Sequence, residues 1–149
     1  MTLMGMAAAA FVVTTAGAAR PAADPIGVQG KPAAAPASAG WVLPPDADTT
    51  KNPLAADEKV LASGKALYRD KCQRCHGPGG IGDGPDADPD AREDMDLTNP
   101  KRADQNSDGI VFFKIMNGRR RPKMPAFKEE LTADQVWSIV TYAQTLRKK

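Results

Sequence analysis

The chain has one histidine, two cysteines and eight aromatic residues in 149. Each scarcity removes a class of function. One histidine rules out a zinc site built on a histidine pair, and it leaves few ways to assemble a nucleophile with an imidazole base. Two cysteines cannot make a four-thiolate metal site. The formal charge is only +2, with no basic stripe interleaved with aromatics, which argues against a nucleic-acid partner. A glycine-rich phosphate loop is absent, as are an internal repeat and a convincing strand pattern. No apolar run reaches the length of a strongly hydrophobic membrane span.

What is present is concentrated. Both cysteines and the histidine fall inside one pentapeptide, Cys72-Gln73-Arg74-Cys75-His76. This is the spacing of covalent c-type haem attachment. Thiols three residues apart can reach the two vinyl-derived arms of one porphyrin, and the next residue sets an imidazole under the iron. A redox dithiol of this spacing belongs beside a βαβ pattern, which is missing. A zinc ion would have to complete its shell with a carboxylate or water.

With His76 committed to iron, no second histidine is available. The six methionines are then the candidates for the opposite axial position. Met1, Met4 and Met6 lie in the N-terminal leader. Met95 sits in an acidic loop and Met116 on an expected helix. Met124 stands in Lys123-Met124-Pro125-Ala126-Phe127, where the proline favours extended backbone able to lay a thioether on a flat face. Met124 is the first choice, with Met116 and Met95 as the alternatives.

Several elements in a fixed order carry a resemblance. They are Gly64-Lys65-Ala66-Leu67-Tyr68, Cys72 through Gly77-Pro78, Gly82-Asp83-Gly84-Pro85, Asn117-Gly118, Met124-Pro125-Ala126-Phe127, and a C-terminal stretch from Trp137 to Leu146. In this order the chain resembles the class I, monohaem c-type cytochromes over roughly residues 54–147. The resemblance implies an all-α, small cytochrome c-like fold wrapping one haem, with crossed N- and C-terminal helices. It implies thioethers at Cys72 and Cys75, proximal ligation by His76 and distal ligation by Met124. Pro78 resembles the loop proline whose carbonyl accepts a hydrogen bond from the proximal imidazole. Gly64 marks the helix crossing, with Trp137 or Tyr142 as its expected neighbour.

Periodicity places helices over about 56–71, 107–116 and from Thr132 onward, the last opened by the capping-box pattern Thr132-Ala-Asp-Gln135. Val60, Leu61, Leu67 and Tyr68 form the apolar face of the first, and Ile110, Val111, Phe113 and Met116 the expected core of the second. Residues 1–19 carry no charge, are alanine-rich and end near Ala16-Gly17-Ala18, which reads as an export signal or a membrane anchor. Residues 20–53 hold seven of the thirteen prolines and read as a Pro/Ala-rich linker. Its one apolar cluster, Trp41-Val42-Leu43, is expected to pack on the domain surface. The haem domain then spans 54–149.

Between Asp83 and Asp96 lie seven acids and one base, which fail the glycine and glutamate requirements of an EF-hand and read as a solvated loop. Arg119, Arg120, Arg121 and Lys123 run into Met124, and are expected to dock an acidic partner or to neutralise a haem propionate. These features point to a periplasmic or otherwise extracytoplasmic one-electron carrier, a monomer if free, between a redox donor and acceptor. The alternatives are a haem protein with an open sixth position for a gas or peroxide, and a tethered subunit of a larger respiratory or photosynthetic complex. Because the haem supplies much of the apolar surface of so small a core, the chain without it is expected to be unfolded.

Overall fold

The computed structural model describes residues 40–147. The 1–19 leader and residues 20–39 of the linker lie outside the described residues. In chain order the helices are α1 (Glu58–Lys71), α2 (Gln73–His76), α3 (Arg92–Met95), α4 (Pro100–Asp104), α5 (Asp108–Asn117) and α6 (Ala133–Leu146), with a 3-10 turn at Pro89–Ala91. Among the described residues the only β-type pairings are two isolated bridges, Ile81 with Asp96 and Arg119 with Met124. No described helix is long and apolar enough to cross a membrane.

The ends of the long helices follow from local chemistry. The Asp57 carboxylate caps α1 by accepting from the Val60 amide at 2.8 Å, and Arg69 and Lys71 occupy its last turn. Thr132 and Gln135 close a reciprocal capping box at the start of α6.

Helices α1 and α6 cross at Gly64. A Cβ there would fall 2.0 Å from the Ser138 carbonyl oxygen and 2.9 Å from the Tyr142 Cβ. Of the two alternatives expected there, Trp137 or Tyr142, the neighbour is Tyr142, joined by Ser138. Trp137 instead turns inward and stacks on Phe112 of α5, with ring centroids 4.1 Å apart. Val136, Ile139, Val140, Phe127, Leu131 and Ile115 complete this core.

On α5 the buried residues are Gly109, Ile110, Phe112 and Ile115, while Val111, Phe113 and Met116 are only half-buried. The expected core residues are thus split. Val111, Phe113 and Met116 all pack against the core, and Val111 also lines the cavity described below.

Residues 46–52, linker-like by composition, lie against the domain. Ala47 is fully buried, and its carbonyl and that of Thr50 crowd the face of α5 at Gly109. Asn52 donates from Nδ2 to Thr141 Oγ1 at 2.9 Å. A Pro/Ala-rich stretch has no core of its own, but small side chains and free carbonyls let it fill a notch between two helices.

Candidate functional site

The pentapeptide is shaped by the exit from α1. The Cys72 amide donates to the Tyr68 carbonyl, and the amides of Cys75 and His76 return to the Cys72 carbonyl at 3.2 and 3.0 Å. One helical turn therefore gathers both thiols and the imidazole. Gly77 ends the turn with a positive φ of 77°, and its carbonyl accepts from the buried Tyr68 hydroxyl at 2.8 Å. Burial of that phenol, with smaller contributions from Cys72, Tyr142 and Asp83, raises its pKa well above the usual tyrosine range.

No disulfide joins Cys72 and Cys75. Burial, reinforced by Cys75 and Asp70, pushes the Cys72 thiol up to about 12, a shift away from the thiolate. Among the described residues no cluster of His, Cys, Asp or Glu could hold a zinc ion.

His76 Nδ1 lies 2.7 Å from the carbonyl oxygen of Met95. This corrects the expected role of Pro78, which is exposed and makes no such bond. After Gly77 the chain turns outward and carries Pro78 to the surface, and α3 then brings Met95 back under the ring. Two links hold that return: the Gly82 amide donates to the His76 carbonyl at 2.9 Å and the Leu97 amide to the Gly80 carbonyl at 2.7 Å. Burial lowers the His76 pKa; the Met95 hydrogen bond opposes it and nearby Arg119 adds to it. The neutral ring donates from Nδ1 and keeps a lone pair on Nε2.

Met124 comes from a separate segment. Its amide and carbonyl pair reciprocally with those of Arg119, both at 2.9 Å, and the Phe127 amide ties the following residues to the Ile115 carbonyl at 3.1 Å. The Met124 loop is thus pinned at both ends against α5. Cys72, Cys75, His76 and Met124 line a single cavity of about 1270 Å³, counting its open mouth, with Leu97, Ile115 and Ile139 among its apolar walls. Met95 also lines it, with its carbonyl engaged by His76. Met116 does not line it and packs against the core instead. Two thiols and an imidazole on one turn, with a thioether in the same apolar cavity, fit a covalently held haem.

The basic run divides in two. The Arg119 side chain is only 7% exposed and donates to Asp94 at 3.1 Å, whereas Arg120, Arg121 and Lys123 are exposed. Asp94 also takes Arg102 at 2.7 Å. Burial alone would raise the Asp94 carboxyl, but hydrogen bonds from Arg102 and Arg119 outweigh it and hold the group below the usual range. Residue-level reading missed Arg102, Lys114, Trp41 and the Met95 carbonyl as parts of this site, since nothing in their sequence spacing links them to the pentapeptide.

A family model described as cytochrome C oxidase, cbb3-type, subunit III matches residues 59–142. Among solved structures, the chain is similar to the Kuenenia stuttgartiensis reducing HAO-like protein complex Kustc0457/Kustc0458, at 29% identity and a TM-score of 0.54. That match covers 66% of this chain and 50% of the other, so this chain spans about half the length of that relative. A second similar structure is the KustC0563 c-type cytochrome, at 28% identity and a TM-score of 0.45, covering 57% of this chain and 98% of that one. No curated protein matches.

Proposed function

This chain belongs to the cytochrome C oxidase, cbb3-type, subunit III family, a class I c-type cytochrome with covalently bound haem c, and from that premise we propose that it carries single electrons between extracytoplasmic redox proteins. The observation that carries the reading is the convergence of Cys72, Cys75, His76 and Met124 on one cavity. When bound, the haem supplies a one-electron couple.

In this reading Cys72 and Cys75 form the thioethers and His76 is the proximal ligand. The Met95 carbonyl, by accepting from Nδ1, orients the imidazole and strengthens it as a donor. Met124 would supply the distal ligand, and the backbone pairing of its loop with Arg119 would hold the thioether in place. The apolar walls, Leu97, Ile115 and Ile139 among them, would exclude water from the bound group. Exposed Arg120, Arg121 and Lys123, beside Met124, steer the molecule to an acidic partner surface. No substrate bond changes, so the protein is a carrier rather than an enzyme. The haem domain begins near residue 54; residues 1–19 direct export or anchor the chain and 20–53 lead from them to the domain.

A second reading has one observation behind it: a similar solved structure is a protein complex, and this chain covers half of its matched chain. In that reading the chain is a cytochrome subunit of a larger assembly. Retention in washed membranes, or copurification with a redox enzyme at fixed stoichiometry, would favour it over a free shuttle.

The test is an absorption spectrum of the oxidised and reduced holoprotein beside Met124→Ala. The expected result is a low-spin c-type spectrum with a methionine–iron charge-transfer band lost in the variant. A high-spin wild type that binds carbon monoxide readily would overturn Met124 ligation and favour an open sixth position.

A further inference from the structure

The family model begins at residue 59, yet the segment ahead of it is built onto the domain. Residues 46–50 form a turn of their own: the Thr50 amide and hydroxyl both donate to the Asp46 carbonyl, at 2.9 and 2.8 Å. This turn seats on α5. Ala47 is fully buried, and a Cβ at Gly109 would strike the carbonyls of Ala47 and Thr50. Farther along, Asn52 donates from Nδ2 to Thr141 Oγ1 of α6 at 2.9 Å and to the Trp137 carbonyl at 3.4 Å. The segment is thus anchored on two helices, and its other end reaches the cavity, where Trp41 forms part of the wall with Met124.

Trp41 meets the Met124 loop through Arg119. The Arg119 guanidinium stands 4.7 Å from the indole centroid, and its Nε donates to the Pro122 carbonyl at 3.0 Å. The Arg119 backbone pairs with that of Met124, so one residue joins the indole to both ends of the loop. Asp94 holds the same guanidinium at 3.1 Å. Gly40 adds a backbone contact, since a Cβ there would lie 3.6 Å from the Arg121 carbonyl oxygen. The Lys114 ammonium of α5 is 5.1 Å from the same centroid, so the ring spans helix and loop. Cation–ring contacts of this kind strengthen where water is excluded.

We propose that residues 40–52 are a strap that holds the Met124 loop closed, with Trp41 as its positioning residue, and that the seated strap bars small external ligands from the sixth iron position. The inference rests on Met124 being the distal ligand of a haem c in this cavity. Loops open locally at a cost set by the contacts they break. Opening the 119–124 loop with the strap seated breaks the stack of Arg119 on Trp41 as well as the pairing of the loop with itself. A ligand that enters only after Met124 has left has its apparent affinity scaled by the fraction of open loop. Trp41 lowers that fraction, so the strap keeps the chain a carrier and its release makes the chain a ligand binder.

The test is imidazole binding to the oxidised full-length holoprotein, followed as loss of the methionine–iron charge-transfer band, beside denaturant unfolding of the same samples. Trp41→Ala is expected to bind imidazole about tenfold more tightly than wild type. Trp41→Phe, which keeps an aromatic face, restores most of the resistance, and Val42→Ala, at a neighbour 89% exposed, matches wild type. Gly109→Ala, which unseats the strap from α5 without touching the ring, shifts in the same direction as Trp41→Ala. Gly64→Ala, at the helix crossing, loses stability without gaining imidazole affinity. Wild-type affinity in both Trp41→Ala and Gly109→Ala overturns the proposal. A gain in Gly109→Ala alone overturns the role of Trp41, and a gain in Trp41→Ala alone overturns the strap. An equal gain in Gly64→Ala overturns both, since any loss of stability would then open the site. If Trp41→Ala yields no holoprotein, Trp41→Leu decides in its place. A wild type without the methionine band overturns Met124 ligation and this inference with it; a band present in wild type with no shift in the variants overturns this inference alone.

Discussion

The imidazole Nδ1 of His76 and the carbonyl oxygen of Met95 stand 2.7 Å apart, though the two residues are nineteen positions apart in sequence. Gly82 makes room for the turn that delivers this carbonyl. Its φ is 74°, and a Cβ there would meet the Arg92 carbonyl oxygen at 2.7 Å and the Met95 Cβ at 3.2 Å. Gly82→Ala is therefore expected to push α3 away, weaken the bond to His76 and leave the ring a poorer donor. The midpoint potential should rise, with the c-type spectrum retained. An unchanged potential would show that this bond does not tune the site.

The helix crossing gives a sharper mechanical test. Glycine inside a helix ordinarily costs about 1 kcal/mol against alanine. At Gly64 the order reverses, since the added methyl would sit 2.0 Å from the Ser138 carbonyl oxygen. Gly64→Ala should destabilise the protein by roughly 2 kcal/mol, in the range of core overpacking, as read by denaturant unfolding. A stabilised variant would mean that the two helices slide apart at no cost.

The four residues of the basic run should behave as two groups. Changing Arg120, Arg121 and Lys123 together to Gln is expected to slow electron transfer to an acidic partner by about tenfold at low salt, with little effect at high salt. Arg119→Gln should instead destabilise the fold by about 2–3 kcal/mol, because it leaves the Asp94 carboxylate with one cation fewer in a partly buried site. Equal slowing by both variants, without loss of stability in Arg119→Gln, would return Arg119 to the docking surface.

Asp94 also sets an acid limit. Its folded-state pKa is held below the unfolded value, so the unfolded chain binds more protons as the pH falls. The stabilisation is complete above the unfolded pKa of about 4 and is lost as pH drops through the folded value. Asp94→Asn should be less stable at neutral pH by about 1 kcal/mol and lose less than wild type on acidification. Unfolding curves at several pH values would show the two proteins converge in acid. Parallel curves would exclude Asp94 as the acid-sensitive group.

Without its cofactor the cavity would leave apolar walls facing water and cations facing one another. A Cys72→Ala, Cys75→Ala double variant made without haem is expected to lose most of its helical circular dichroism. Native helix content in that variant would show that α1, α5 and α6 support themselves.

The local features were legible because their causes are local. One turn of helix brings Cys72, Cys75 and His76 together, since thiols and imidazole four residues apart at most need no other segment. Thr132 and Gln135 cap α6 through their own neighbours, and Gly64 announced a close approach without naming Ser138. Core assignment on α5 went only partway: periodicity cannot tell a residue packed wholly on protein from one that also lines a cavity, and Val111 does both.

Contacts that close through space were decided by the tertiary structure alone. The partner of His76 Nδ1 is Met95 rather than Pro78, because a short helix far along the chain returns beneath the ring. Arg119 left the basic run for Asp94, while its neighbours in sequence stayed in solvent. Trp41, in a stretch that composition reads as linker, became a platform for two cations drawn from elsewhere. The sequence determined the attachment chemistry through spacing within one turn; the packed chain alone determined which distant carbonyl, carboxylate and indole complete the cavity around it.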